Sequence, residues 1–489
     1  MTLARNTLYN LAGALVPVGL ALVTVPLYLR HIGEARYGIL AIVWLLLGYF
    51  GSFDLGLSRA AANKIAQLRD APAAERQDVF WTACVLNAAL GLVAGAAFYF
   101  VGARLFEVWF KMSRPLHAEA ILALPWVAAA VPVATVTAAL TGTLEGLQRF
   151  STVNAIQALG TAFFQLMPLA TAILIGPQLQ YVIPAAVISR VITLAPLMSA
   201  VRSALPLNGA PSLNRGQTRN LFAYGSWVTV TNVVGPILHV FDRFLIGIVL
   251  GASAVAYYVV PFQLVNRAQL VPAALSRALF PHFSAINTQQ ARQIAQESVM
   301  ALAAVMTPVT IVGLLSMMPF LQIWVGKDFA SHAAPVGEIL LLGIWINGLA
   351  FVPFSLLQAQ GRPDIVAKFH MMELGPFLAL LWFALTRFGI VGAAAVWVLR
   401  VAFDAALLFN AACFPMRLAK PLVPSAVFIA AAAVWLSIMP NDDVLPKLYF
   451  GLPVLLLSCI WSLIISARLR VFLSRLLRHL NILQIFLRN

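Results

Sequence analysis

Four arginines, Arg190, Arg243, Arg267 and Arg400, stand deep inside stretches that are otherwise apolar, and four acids, Asp54, Asp242, Glu373 and Asp404, stand in stretches of the same kind. A guanidinium is a planar fork of donors that matches phosphate oxygens. Four of them facing one cavity would bind an anionic headgroup, most simply a diphosphate. The acids have two uses there, ion coupling and charge pairing. Spacing separates some of the options. Arg400 and Asp404 are four residues apart on one helical face, so they either neutralise one another or share a cavity. Asp242 and Arg243 are adjacent and point different ways, which favours partners on other helices over mutual pairing. Arg190 and Arg267 have no acid within one helical turn, which favours an aqueous cavity. Asp54 and Glu373 lie near the inner ends of their stretches. Asp54 is either an interfacial carboxylate or a coupling residue, and Glu373 is expected at the interface. A lone His239 is expected to be packed and hydrogen-bonded. The chain has no HExxH, Walker or GxSxG pattern and no paired metal ligands, so no catalytic residue, metal or cofactor is expected.

The elements that must hold these residues follow from composition. Hydrophobic residues make up 61% of the chain and charged residues only 10%, too little polar surface for a soluble fold. Fourteen apolar stretches of about 20 residues run along it, each long enough to cross a bilayer as a helix. Span 2 is read as 37–56, span 7 as 222–249, span 8 as 255–281, span 11 as 368–388 and span 12 as 390–412. With the N-terminus inside, the inner gaps hold 20 of the Lys and Arg residues and the outer gaps 8. That bias predicts both termini in the cytoplasm. It also accounts for the net charge of +15 by topology rather than by nucleic-acid binding. Pro17, Pro26, Pro236, Pro261 and Pro272 fit helices that bend. Arg30 and Arg36 are expected to snorkel at the first outer turn. Gly91 and Gly95 form a small-xxx-small pattern for close helix packing.

The first twelve spans read as two blocks. Gly33 and Ser58 recur as Gly251 and Ser276 at an offset of 218, within Leu57-Ser58-Arg59-Ala60 and Leu275-Ser276-Arg277-Ala278. Phe106-Glu107-Val108-Trp109 matches Leu321-Gln322-Ile323-Trp324 at 215, and Leu144 to Arg149 matches Leu357 to Arg362 at 213. Ser189-Arg190-Val191 matches Leu399-Arg400-Val401 at 210. Blocks of six spans share an orientation, so the repeat is parallel. The expected fold is therefore an all-α polytopic membrane protein of about fourteen transmembrane helices. It has an N-terminal six-helix lobe (1–205), a cytoplasmic linker (206–221), a C-terminal six-helix lobe (222–415), two extra helices (416–467) and a basic amphipathic tail (468–489). Two like-oriented bundles suit alternating access, with substrate between them.

Several segments resemble Wzx-type polysaccharide flippases of the multidrug/oligosaccharidyl-lipid/polysaccharide exporter superfamily. They are Asn6-Thr7-Leu8-Tyr9-Asn10, His31 to Ile39, Asp54-Leu55-Gly56-Leu57, Phe241 to Gly247, Ile323-Trp324-Val325-Gly326, Gln358 to Arg362 and Phe388 to Ala394. The resemblance covers spans 1 to 12. It implies two lobes around a cationic cavity and transfer of an undecaprenyl-diphosphate-linked oligosaccharide, for O-antigen, capsule or exopolysaccharide, across a bacterial inner membrane. Arg190, Arg243, Arg267 and Arg400 would then bind the substrate, with polysaccharide polymerase and glycosyltransferases as working partners. Related peptidoglycan-precursor flippases carry arginines in mid-span 2, where this chain has Leu45-Leu46-Leu47-Gly48-Tyr49-Phe50. Two other readings are a cation-coupled drug exporter, which would want unpaired acids, and a membrane polysaccharide-synthesis enzyme, which would want a large catalytic loop.

Overall fold

Backbone groups in a bilayer must be satisfied within the segment. The computed structural model describes residues 2–206, 217–218, 240–414, 419–438, 444–466 and 470, and these are helical with no strand among them. The linker stretch 208–212, the first part of span 7 with Pro236 and His239, and the amphipathic tail except for 470 lie outside the described residues.

The helices are α1 (Thr2–Ile32), α2 (Glu34–Tyr49), α3 (Leu57–Gln67), α4 (Ala73–Arg104), α5 (Arg114–Gly146), α6 (Phe150–Leu174), α7 (Leu179–Ala204) and α8 (240–249). They continue as α9 (Ala252–Asn266), α10 (Leu270–Ala285), α11 (Thr288–Val325), α12 (Lys327–Ala359), α13 (Pro363–Ala411), α14 (Ala419–Ile438) and α15 (Val444–Ile465). Each of the fourteen spans falls on described helical residues, span 7 only through 240–249. Eight described helices, α4 to α7 and α11 to α14, are long and apolar enough on their own to cross a membrane. The chain divides into two compact units, Met1–Ala256 and Tyr257–Asn489.

Three elements differ from the reading of the sequence. Span 2 ends in a 3₁₀ turn, Phe50–Asp54, and α3 follows as a separate helix. Span 8 is likewise not one helix: a 3₁₀ turn at Arg267–Gln269 separates α9 from α10, with Pro261 and Pro272 to either side. Spans 11 and 12 are instead a single helical stretch, α13, bent at Gly389 (φ 62°, ψ −147°). A left-handed φ there costs glycine nothing, so one residue suffices to reverse the chain.

The paired sequence landmarks share local geometry. Gly33 (φ 78°) and Gly251 (φ 97°) stand just before α2 and α9. After α5 the Arg149 N–H donates to Leu144 O at 2.8 Å with Gln148 left-handed, and after α12 the Arg362 N–H donates to Leu357 O at 3.0 Å with Gly361 left-handed. Both are six-to-one closures that satisfy carbonyls a helix end leaves open. Within the first unit α4 and α5 pack closely, because a Cβ on Gly95 would sit 2.7 Å from Ala128 O. Within the second, α14 and α15 pack on α11, where Gly451 of α15 lies against Leu315.

Candidate functional site

The N-terminal unit builds its site around the break after α2. Leu55 (φ 52°) and Gly56 (φ 75°) are left-handed, and the chain must restart a helix directly afterwards. The first N–H groups of a helix have no partner within it. Asp54, 5% exposed, supplies one: its Oδ1 accepts from Gly56 N at 2.8 Å and its Oδ2 from Ser58 N at 3.0 Å. A carboxylate is well placed at this positive end of α3. Asp54 thus holds the break in shape and forms part of a cavity wall.

That cavity has a volume of about 410 Å³ and lies between the α2–α3 break, α5, α6 and α7. Its polar lining includes Asp54, Arg59, Thr141, Glu145, Gln157 and Arg190. Arg190 stacks on Phe164, 4.2 Å from guanidinium carbon to ring centroid, and has no carboxylate within 4.0 Å among the described residues. Its Nε, the Ser58 hydroxyl and the Thr141 hydroxyl are buried on residues of this lining without a hydrogen-bond partner among the described residues. Buried polar atoms are nearly always satisfied in folded proteins. Three in the lining of one cavity mark a surface that takes a polar ligand.

Arg243 is arranged differently. Expected to avoid its neighbour, it pairs with it: Arg243 Nη1 donates to Asp242 Oδ1 at 2.5 Å, and the same oxygen accepts the Arg243 N–H at 2.9 Å. The short Asp side chain turns to the next backbone N–H, and the long Arg side chain curls back to meet it. Both are buried, and Tyr49 lies within their electrostatic reach. Arg36, expected to snorkel, makes a two-pronged pair with Glu119 at 2.8 and 2.6 Å. Glu119 also accepts from Leu179 N at 3.0 Å, so the start of α2 is tied to α5 and to the start of α7.

In the C-terminal unit the two arms of α13 fold back on one another and bring four ionisable groups together. Arg400 Nη1 lies 3.7 Å from Glu373 Oε2, and His370 Nε2 lies 3.9 Å from Asp404 Oδ1. Glu373, expected at a span end, is only 3% exposed. Of the two alternatives for Arg400 and Asp404, mutual pairing along one helix does not form, because each has a nearer ionic partner on the opposite arm. Glu373 and Asp404 also interact with one another, and both feel the charge of Arg400. Arg400 also faces the Phe377 ring, at 5.4 Å. His370 escaped the sequence reading, although its spacing of three from Glu373 puts both on one helical face. Gln157 and Glu145 were also missed, since polar residues at span ends carry no linear signal. Arg267 opens the 3₁₀ turn between α9 and α10, exposed and without an ion pair among the described residues.

The profile of the polysaccharide biosynthesis protein family matches residues 3–287, more than half of the chain. The chain belongs to that family. A relative in Shigella flexneri, named "Putative O-antigen transporter", is 31% identical over 409 residues, covering 83% of this chain and 97% of the relative. Among solved structures, the inward closed conformation of the lipid II flippase MurJ superposes with a TM-score of 0.74 at 12% identity, covering 94% of this chain and 98% of that one. An inward-facing multidrug resistance MATE family transporter of the MOP superfamily superposes with a TM-score of 0.71 at 12% identity, covering 83% of this chain and 98% of that one. Family membership and fold agree: this is a multi-pass membrane protein of polysaccharide biosynthesis, built on the fold of transporters and flippases rather than of enzymes. The resemblance to Wzx-type flippases of this superfamily is thereby borne out, as is the expected class of fold.

Proposed function

We propose that the chain moves a lipid-linked oligosaccharide from the inner to the outer leaflet of a bacterial cytoplasmic membrane by alternating access. The substrate is read as a polyprenyl diphosphate carrying sugar, of the undecaprenyl type. The observation that supports this most is Arg190: a membrane-embedded guanidinium on a cavity wall, beside unpartnered polar atoms, with no carboxylate in ion-pair range among the described residues. A cation kept in that state is ready for a phosphate oxygen. Arg267, exposed and without an ion pair among the described residues, is the second anion ligand in this reading. Arg243 and Arg400 already have carboxylates beside them and act chiefly by balancing charge. The Glu373–Asp404 cluster is where a driving ion would couple, and Asp54 and Asp242 keep structural parts. Both termini face the cytoplasm, and the lobes divide at the 206–221 linker. A relative named for O-antigen transport supports a surface polysaccharide as the product stream, with glycosyltransferases and a polymerase working before and after the transfer.

The test is transfer of a fluorescent polyprenyl-diphosphate-linked sugar in proteoliposomes, read by quenching of the outer leaflet with a membrane-impermeant reductant. Arg190→Ala and Arg267→Ala should each slow it roughly tenfold or more, the scale of a lost charge-assisted hydrogen bond. Wild-type rates in both variants would overturn the substrate assignment. The cation-exporter reading is favoured by one observation, the buried acids of the C-terminal unit. It predicts that Glu373→Gln stops uptake of an organic cation while neither arginine change affects it.

A further inference from the structure

A second cavity of the N-terminal unit, about 230 Å³, lies where the α3–α4 and α5–α6 connections come together. Arg69 beyond the end of α3, Arg76 in the first turns of α4 and Arg149 in the α5–α6 turn all line it, and no acid does. None of the three makes an ion pair or a side-chain hydrogen bond among the described residues. The Nε of Arg76 is buried and without a partner there. Three guanidinium groups around so small a space repel one another until an anion joins them. The backbone that presents Arg149 to this space is fixed, because Arg149 is the closing residue of the helix turn and the cap position of α6. The remaining lining includes the apolar Ile65, Ala66, Leu147 and Ala204. A phosphate with hydrocarbon attached finds both kinds of surface here.

The C-terminal unit repeats two of these arginines and not the third. Arg292, in the first turns of α11, has a buried Nε without a partner like that of Arg76, and Arg362 closes the turn after α12 as Arg149 does after α5. At the place of Arg69, by the offset that pairs Ser58 with Ser276, stands Asn287. Its Oδ1 caps α11 by accepting from Gln290 N at 2.9 Å. The third cation belongs to the N-terminal unit.

We propose that Arg69, Arg76 and Arg149 form an anion site that holds the phosphate of an anionic membrane lipid, separate from the cavity of Arg190. Basic pockets at the ends of membrane helices take such headgroups. The site stands whatever substrate the protein transports. It is tested by thermal unfolding of the full-length protein in neutral detergent, titrated with phosphatidylglycerol, phosphatidylcholine or inorganic phosphate. Phosphatidylglycerol should stabilise and phosphatidylcholine should not. The apparent affinity should fall about fivefold for each arginine removed in Arg69→Asn and in the double variant with Arg149→Gln, and stay within about twofold in Arg202→Gln, a nearby control. The two changed side chains are exposed, and the single Arg69→Asn variant carries the test if the double variant does not fold. Equal protection by inorganic phosphate would overturn the lipid assignment. An unchanged response in the variants, or an equal loss in Arg202→Gln, would overturn the site.

Discussion

Arg190 in the first unit and Arg400 in the second are paired by the offset of the sequence repeat, and each lies over a phenylalanine, Phe164 and Phe377, that are themselves paired by the offset of the preceding turns. Beyond that ring the two sites part. Where the second unit has His370, Glu373 and Asp404, the first has Gln157, Gly160 and Leu194 at the paired positions. The same cation is therefore neutralised in one unit and left to face a cavity in the other. The repeat carries the position of the charge, and the surrounding acids decide whether that charge is available.

The largest effect expected of this difference is on stability. Arg400→Ala leaves the buried Glu373 without its cation, which should cost about 3–5 kcal/mol. Arg190→Ala removes a cation with no described acid to strand, and should cost less than about 1 kcal/mol. Thermal unfolding in a fixed detergent compares the two, and adding Glu373→Gln to Arg400→Ala should recover much of the loss. Equal destabilisation by the two arginine changes would break the comparison. A smaller effect is expected from giving the N-terminal site an acid of its own. Gln157→Glu is nearly isosteric at an exposed position on the cavity wall, and its negative charge should lower transfer of the diphosphate-linked sugar roughly tenfold without moving the unfolding temperature. Smallest is the ring itself. Phe164→Leu should slow transfer about threefold, the scale of one cation–π contact, whereas Phe377→Leu should change it less because Arg400 keeps Glu373. Side-by-side initial rates in proteoliposomes rank the pair.

The spans were legible because a bilayer accepts few alternatives to a long apolar helix, and the repeat was legible because turn residues recur at nearly constant offsets. The partners of the charges were not. Asp242 and Arg243 point apart as helix positions, yet side-chain length lets Arg243 curl back, and no periodicity encodes a rotamer. Glu373 looked interfacial because depth was judged by distance along the span, while its burial comes from the opposite arm of α13. The break at Phe50–Asp54 was half visible in Gly51, Asp54 and Gly56. What hid it was the apolar background, which reads as continuous helix until Asp54 is seen capping the next one.

The bend at Gly389 has a consequence for how the protein is made. With one non-helical residue between its arms, α13 offers no connecting loop that could be handled apart from either arm. The first arm to leave the ribosome carries Glu373, and a lone carboxylate inside a membrane span costs up to about 2.5–3.5 kcal/mol. Arg400 follows in the second arm and lowers that cost. The two spans should therefore enter the membrane together as a hairpin, and a nascent chain cut at 389 should insert poorly where one extended past Asp404 inserts well.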